Sequence, residues 1–345
     1  MGQPVDVRDL DSLTSWYADW SSLRVAVLGL GATGFSVADT LTELRSAVLV
    51  VATDATEERV DLLSVIGASY VPQLDADTIP AALVDFGPEL VVVSPGYGTD
   101  HPLVAWARAR GVPIWGDVEL AWRLGDKVSP RADWNMVTGS LGVATTSLLA
   151  AHLLVGGGQR TIVTGSVGMP VLDAIRDPLG FDGLVVAISP DQAKWLPRGT
   201  SAGPAPAVSV CLSIDPRAVV PAEAFGRVYE NTRIACVYNI DDQATVRLVE
   251  DAEVQEGCRA IGFGLGAPGR SDLGLVGDIV VDRAFLDERH STALELTTHG
   301  ELAEAQLATG ELIGQVLAAC AIARAHGVTP GEVRAALATF ALPGA

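Results

Sequence analysis

The sequence predicts an α/β protein of two domains, each built on a parallel sheet. Three observations carry this. Short apolar runs such as Leu23–Leu30 and Leu90–Val93 read as strands buried on both faces. Helix-length segments alternate with such runs from residue 23 onward, the pattern of repeated βαβ units. Two runs end in glycine-framed turns that open onto a helix, Gly29 to Gly34 and Gly139 to Gly142. In such turns backbone N–H groups and a helix N-terminus can receive an anion. At 345 residues the chain exceeds one typical core and suits two domains.

In chain order, residues 1–22, with Trp16, Tyr17 and Trp20, are expected to form an entry helix on the first domain. Interspersed Asp6, Arg8, Asp9 and Asp11 exclude a signal peptide there. The strand 23–30 enters the turn Gly29-Leu30-Gly31-Ala32-Thr33-Gly34, and a helical pattern follows through Arg45. The strand Ala47–Ala52 leads to Thr53 and Asp54, and Asp54 lies 20 residues beyond Gly34. That is the spacing of a dinucleotide fingerprint, with an acid at the tip of the second strand. A helix near 56–66, a strand near 68–72, a helix near 77–85 and the strand 90–93 come next. Ser94-Pro95-Gly96 closes that strand, and a helix at 101–110 and a short strand at 113–115 complete the domain. Ligands on doubly wound sheets sit outside the carboxyl ends of the strands. The glycine turn, Thr53/Asp54 and Ser94-Pro95-Gly96 therefore fall on one rim of a Rossmann-like domain over residues 1–125.

Residues 126–133 read as a polar linker, and 134–345 as the second domain. Its strands are expected at 134–138, 160–164, 184–188, 207–213, 233–239 and 259–263, with a hairpin over 272–285. The Pro/Gly/Ala-rich segment 194–206 reads as a mobile loop. Helices at 310–326 and 330–340 close the chain. The opening strand, the Gly139–Gly142 loop and the apolar helix after it have the layout of a phosphate loop. That chemistry uses a Lys and then a Ser/Thr directly after the second glycine, for the β/γ-phosphates and Mg²⁺. Here those positions are Val143 and Ala144, followed by Thr145.

A net charge of −19 excludes nucleic acid and anionic membrane surfaces as partners. Lys127 and Lys194 are the two lysines. No run reaches the roughly 18–20 apolar residues of a spanning helix, so a cytoplasmic location without membrane insertion is expected. Cys211, Cys236, Cys258 and Cys320 show no CxxC pairing and read as buried reduced thiols. The histidines at 101, 152, 290, 299 and 326 form no metal-spaced cluster, so no metal site is expected.

Taken together, several segments resemble the Mur ligases, most closely the MurD type. They are Val27 to Gly34, Ser94-Pro95-Gly96 with His101-Pro102, Gly116 to Leu120, the loop Thr138 to Thr146, Gly165 to Pro170, Arg227 to Asn231 leading to Cys236-Val237-Tyr238-Asn239, and Val316 to Gly327. The resemblance implies joining D-glutamate to UDP-N-acetylmuramoyl-L-alanine with ATP and Mg²⁺. It implies a UDP-sugar site from Gly29, Gly31, Ala32, Thr33, Gly34, Thr53, Asp54, Ser94, Pro95 and Gly96, with Ser166 where the family usually has a substrate-facing Asn. It also marks departures. The loop of Gly139, Gly142, Val143, Ala144 and Thr145 lacks the family's Lys and adjacent Thr. The family's Mg²⁺-binding Glu falls on Ala187, its carbamylated Lys on Phe225, and two Asn residues that approach ATP on Glu311 and Gly314. The chain stops near the hinge where the family's third domain begins, so that domain is expected to be absent.

The expectation drawn from these departures is a pseudoenzyme, with ATP and Mg²⁺ binding lost and no catalytic residue. It would act as a regulator or scaffold in peptidoglycan precursor synthesis, binding a UDP-muramyl compound or a protein partner as a homo- or hetero-oligomer, another cell-wall protein included. Two alternatives stand beside it: an active or partner-complemented ATP-dependent UDP-N-acetylmuramoylalanine–D-glutamate ligase, and an NAD-binding oxidoreductase suggested by the fingerprint and Asp54.

Overall fold

The computed structural model describes residues 10–342 apart from 76, 200–202 and 289. It divides into two compact units: Met1–Arg131 with Pro170–Gly180 and Trp195–Gly203, and Ala132–Met169 with Phe181–Lys194 and Pro204–Ala345.

The first unit alternates β1 (Arg24–Leu28), α1 (Ala32–Glu43), β2 (Ala47–Ala52), α2 (Glu57–Ile66), β3 (Ser69–Pro72), α3 (Ala81–Phe86), β4 (Leu90–Val93), α4 (Pro102–Ala109), β5 (Ile114–Gly116) and α5 (Asp117–Arg123). The sheet is wholly parallel in the order β3-β2-β1-β4-β5. Its central strands are apolar because helices cover both faces; Val25 to Leu28 and Leu90 to Val93 are all buried. Local chemistry sets the helix ends. Thr56 caps α2 by accepting from Arg59 N, and Gly67, left-handed at φ 85°, stops it. His101 caps α4, whose first residue is Pro102.

The expected entry helix does not form in the described part of residues 1–22; residues 1–9 lie outside the description. Leu10–Ser12 make one 3₁₀ turn, and the following segment is held by Asp126 instead of helical bonds. Asp126 accepts from Ser15 Oγ at 2.5 Å and from Trp16 N at 2.7 Å. Short polar side chains here compete with helix formation. Trp20 is buried edge-on to Trp115, with ring centroids 6.4 Å apart.

The second unit holds β6 (Asp133–Thr138), α6 (Val143–Gly156) and β7 (Thr161–Gly165). The chain next forms α7 (Val171–Ile175), which belongs to the first unit, then β8 (Gly183–Ala187), α8 (Pro190–Ala193), β9 (Val208–Cys211), α9 (Ala222–Gly226), β10 (Ala235–Asn239), α10 (Gln243–Glu250) and β11 (Arg259–Phe263). β12 (Asp272–Val276), β13 (Ile279–Asp282), β14 (Leu294–Thr298), α11 (His299–Glu304), α12 (Gly310–Ala325) and α13 (Pro330–Leu337) follow. Nine strands make one sheet, β14-β13-β12-β11-β10-β9-β6-β8-β7, parallel from β12 to β7 and antiparallel through β12-β13-β14. The hairpin expected over 272–285 is β12–β13. β14 was not expected from sequence: its half-exposed Leu-Glu-Leu-Thr-Thr run is stabilised by pairing with β13. Alanine-rich α12 packs in the core with α6, where Ala318 to Ala323 are fully buried.

Two stretches that sequence placed in the second domain cluster with the first unit. α7 docks by polar contacts: Ser36 Oγ donates to Asp173 Oδ1 at 2.6 Å, and Arg176 reaches Asp39 at 2.7 Å and Thr40 at 2.9 Å. Of the expected mobile loop, residues 200–202 lie outside the description. Trp195 is buried and donates Nε1 to the Tyr97 carbonyl at 3.0 Å.

Candidate functional site

In the first unit, the chain turns opposite ways after β1 and β4, opening a crevice at their carboxyl ends. Gly29 N donates to Val51 O at 2.8 Å and Ser94 N to Leu28 O at 3.0 Å, so the two loops continue the sheet before diverging. Gly29 adopts φ 101°, and a Cβ on it would meet Ser94 and Tyr97 at 3.0–3.1 Å. A Cβ on Gly34 would stand 2.1 Å from the Gly29 carbonyl oxygen and 2.7 Å from Ser94 Oγ. Gly29 is thus demanded by its positive φ and by the crowding Ser94 and Tyr97 side chains, and Gly34 by close approach of the Gly29 backbone. Ser94 Oγ is buried and has no hydrogen-bond partner among the described residues. It faces the turn below the N-terminus of α1, whose cap residue Gly31 supplies no side-chain bond. Ala32 and Thr33 open α1, Pro95 and Gly96 continue the Ser94 loop, and Thr53 and Asp54 are exposed beyond β2.

Two residues on this rim were missed by sequence reasoning. Tyr97 directly follows Ser94-Pro95-Gly96, and its ring meets His101 edge-on at 4.7 Å. Burial and then the Asp54 charge push the hydroxyls of Tyr97 and Tyr70 above the ordinary tyrosine range, keeping both as neutral hydrogen-bonding groups. Adjacency to the motif was the available signal for Tyr97. Tyr70, on β3, had none.

In the second unit, β6 lies between β8 and β9, the point where successive connections diverge. The loop after β6 is set by glycines: Gly139 at φ 149° and Gly142 at φ 79°. Ser140 N donates to Ser213 O and Ser140 Oγ accepts from Asp215 N, both at 2.8 Å, tying this loop to the one after β9. Gly142 is the N-cap of the 14-residue α6, with Val143, Ala144 and Thr145 as its first helical residues. The helix start presents backbone N–H groups and the positive end of its dipole.

Beside the loop lies a cavity of about 490 Å³ lined by Leu141, Leu212, Ser213, Asn239, Asp241, Phe263 and Leu265, with Glu311, Gly314 and Gln315 from α12. The structure therefore brings Glu311 and Gly314 to the glycine loop. The Gln315 amide lies where a Cβ on Gly142 would come within 2.8 Å of Nε2, and its Oε1 is buried without a partner among the described residues. Asn239 ends the Cys236–Asn239 segment that carries the resemblance; Gln315 and Phe263 give no signal in the sequence, because their neighbours in space are remote in sequence. The lining is largely apolar, with two carboxylates and no described cationic side chain.

Ser166 and Ala187 meet at the ends of β7 and β8, where Ser166 N and Oγ both donate to Ala187 O, at 2.8 and 3.1 Å. Phe225 is fully buried on α9 and lines no part of the cavity. At the four positions where the resemblance implies the loop cation and the metal-holding side chains, Val143, Ala144, Ala187 and Phe225 offer no oxygen donor. Among the described residues no three His, Cys, Asp or Glu stand together as a metal site. No described helix is long and apolar enough to cross a membrane.

A Rossmann-like sheet followed by a glycine-loop α/β unit is the fold of the peptidoglycan ligases. The chain superposes on the UDP-N-acetylmuramate:L-alanyl-gamma-D-glutamyl-meso-diaminopimelate ligase from Neisseria meningitides with a TM-score of 0.57 at 16% identity, covering 94% of this chain and 100% of that one. A murein peptide ligase from Psychrobacter arcticus gives 0.52 at 14% identity, covering 92% and 68%. Residues 23–116 match the profile of the Mur ligase MurD-like N-terminal domain. The UDP-N-acetylmuramoylalanine–D-glutamate ligase of Leifsonia xyli is 53% identical over 96% of this chain and 67% of its own length. Those of Tropheryma whipplei and Streptomyces avermitilis are 40% and 41% identical, over 96% and 93% of this chain and 70% and 68% of their lengths. The chain belongs to the MurD-type family of Mur ligases.

These relatives correct the expectation of a regulatory or scaffolding pseudoenzyme. Proteins named as ligases stand at 40–53% identity along nearly the whole chain, and they favour the ligase alternative over that reading and over an oxidoreductase. Val143, Ala144, Ala187, Phe225, Glu311 and Gly314 are departures at single positions, whereas the rest of the chain follows the ligases.

Proposed function

We propose that the chain is an ATP-dependent amide-bond-forming ligase that joins D-glutamate to UDP-N-acetylmuramoyl-L-alanine. The observation that carries this reading is the 53% identity with the Leifsonia xyli ligase along 96% of the chain. The geometry supports it at three places. The rim of Gly29, Gly31, Gly34 and Ser94 offers a sugar nucleotide a helix N-terminus and an unpaired buried hydroxyl. The Gly139–Gly142 loop offers a second anion site at the start of α6. The cavity beside it, about 490 Å³, falls in the range of roughly 300–1,000 Å³ usual for small-molecule sites, and Phe263 with Leu265 gives it an apolar wall for a base.

The chemistry transfers the γ-phosphoryl group of ATP to a carboxylate oxygen. The amine of D-glutamate then attacks the acyl carbon, the amide bond forms and phosphate leaves. The protein's task is to hold the reacting groups and to stabilise phosphoryl charge. In this chain the first turn of α6 meets that charge with backbone N–H groups, since Val143 brings no cation. Asp241 and Glu311 oppose it from the cavity wall. No step is assigned to a divalent ion.

The test is product formation by the purified chain with UDP-N-acetylmuramoyl-L-alanine, D-glutamate and Mg·ATP, read by mass spectrometry alongside phosphate release. Product that requires all three is expected. Val143→Lys, which restores a cation to the loop, is expected to raise turnover by about tenfold or more. No product from either protein would overturn the reading.

A further inference from the structure

Two of the four cysteines behave as the sequence suggests. Cys211 and Cys320 are fully buried, and burial pushes both thiols up, Cys320 to about 12, so they stay inert. The other two are paired. Cys236 lies within β10 and is buried; Cys258 immediately precedes β11 and is half-buried. β10 and β11 run parallel with Ala235 opposite Arg259 and Cys236 opposite Ala260. This register leaves the Sγ atoms 3.8 Å apart, although the residues are 22 positions apart in sequence.

We propose that Cys236 and Cys258 form a reversible oxidation site, converted by a small hydroperoxide into a disulfide within the chain. The two thiols are unequal. Cys236 is held protonated by the hydrogen bond it gives to Cys258 and by burial, while Cys258, accepting that bond, lies below the ordinary thiol range. Cys258 is also the more accessible, so it supplies the attacking thiolate. Its sulfur attacks one oxygen of hydrogen peroxide, the O–O bond breaks, and hydroxide leaves and is protonated to water, giving a sulfenic acid. Cys236 Sγ then attacks Cys258 Sγ; the S–S bond forms, the S–O bond breaks, and the Cys236 proton leaves with the hydroxyl as a second water. Two thiols and one peroxide become one disulfide and two waters. The closure from 3.8 Å to about 2.05 Å is shared between two side chains at the start of neighbouring strands. The link would close a loop containing α10, and by restricting the unfolded chain it would raise the melting temperature.

The experiment uses the full reduced chain and hydrogen peroxide. Thiols counted in denaturant are expected to fall from four to two and to return to four with dithiothreitol. Peptide mapping is expected to join the Cys236 and Cys258 peptides, and the melting temperature to rise in the oxidised form alone. Cys236→Ser is expected to stop at a Cys258 sulfenic acid trapped by dimedone. Cys258→Ser, at the half-exposed position where folding is least at risk, is expected to keep its three remaining thiols. Oxidation of Cys258 to sulfinic acid without a cross-link in the wild-type chain, a link between two chains, or equal loss of Cys211 and Cys320 would overturn the proposal.

Discussion

Gly34 shows how one missing side chain can set a site. Its ideal Cβ position falls 2.1 Å from the Gly29 carbonyl oxygen, a backbone atom that cannot swing away. Gly34→Ala is therefore expected to cost roughly 1–3 kcal/mol in urea unfolding, the usual penalty for overpacking. It should also abolish binding of UDP-N-acetylmuramoyl-L-alanine in calorimetric titration, and unchanged affinity would remove the rim from the proposed site. His326 makes a second prediction. Its Nε2 lies 2.7 Å from Asn135 Oδ1, and burial pushes the imidazole below its ordinary value of 6.5, Asp133 only partly opposing. In the unfolded chain the ring takes up a proton near pH 6.5, whereas in the folded chain it resists until lower pH. The unfolded state thus binds more protons in that window, and stability, complete above about 6.5, falls as pH drops below it. Melting temperatures between pH 7.5 and 5 should show this decline, and His326→Gln should flatten it.

At the scale of elements, a buried ion pair joins the end of α12 to the end of β13. Asp282, fully buried, accepts from Arg324 Nε at 2.8 Å and from the backbone N–H groups of Ala284 and Phe285 at 2.7 and 2.9 Å. Arg324 also donates to the carbonyls of Val328 and Phe285, at 2.5 and 3.0 Å. Arg324→Met leaves the carboxylate buried without its cation. The expected cost is roughly 3–5 kcal/mol, measured by chemical unfolding; a loss below about 1 kcal/mol would mean that the two backbone donors suffice. Strands of the inner sheets were legible in the sequence because burial on both faces leaves an unbroken apolar run, as in Leu90–Val93. β14 was not, since its Leu294–Thr298 stretch is half-exposed and depends on β13 for its pairing. Arg324 gave no hint of its partner, 42 residues away.

Across the whole molecule, the proposed nucleotide cavity draws on the loop after β6, the carboxyl ends of β9, β10 and β11, and the first turns of α12. A parallel sheet delivers such ends to one side whatever the distance between them in sequence. Ligand binding should therefore report on global stability. ATP at about a hundred times its dissociation constant is expected to stabilise the folded chain by about 2.7 kcal/mol, visible as a rise in melting temperature. The absence of any shift at millimolar concentration would count against the cavity assignment while leaving the fold intact.

By itself the sequence determined the alternation of strands and helices, the two glycine turns and the kinship with the Mur ligases. Those features are encoded locally, in apolar periodicity and in residues whose backbone conformations few others adopt. Tertiary structure alone decided that Gln315 covers Gly142, that Tyr97 joins the rim, that α7 docks on the first unit and that Cys236 meets Cys258. Each of these depends on strand register and helix packing, which place side chains together through contacts that no short stretch of sequence contains.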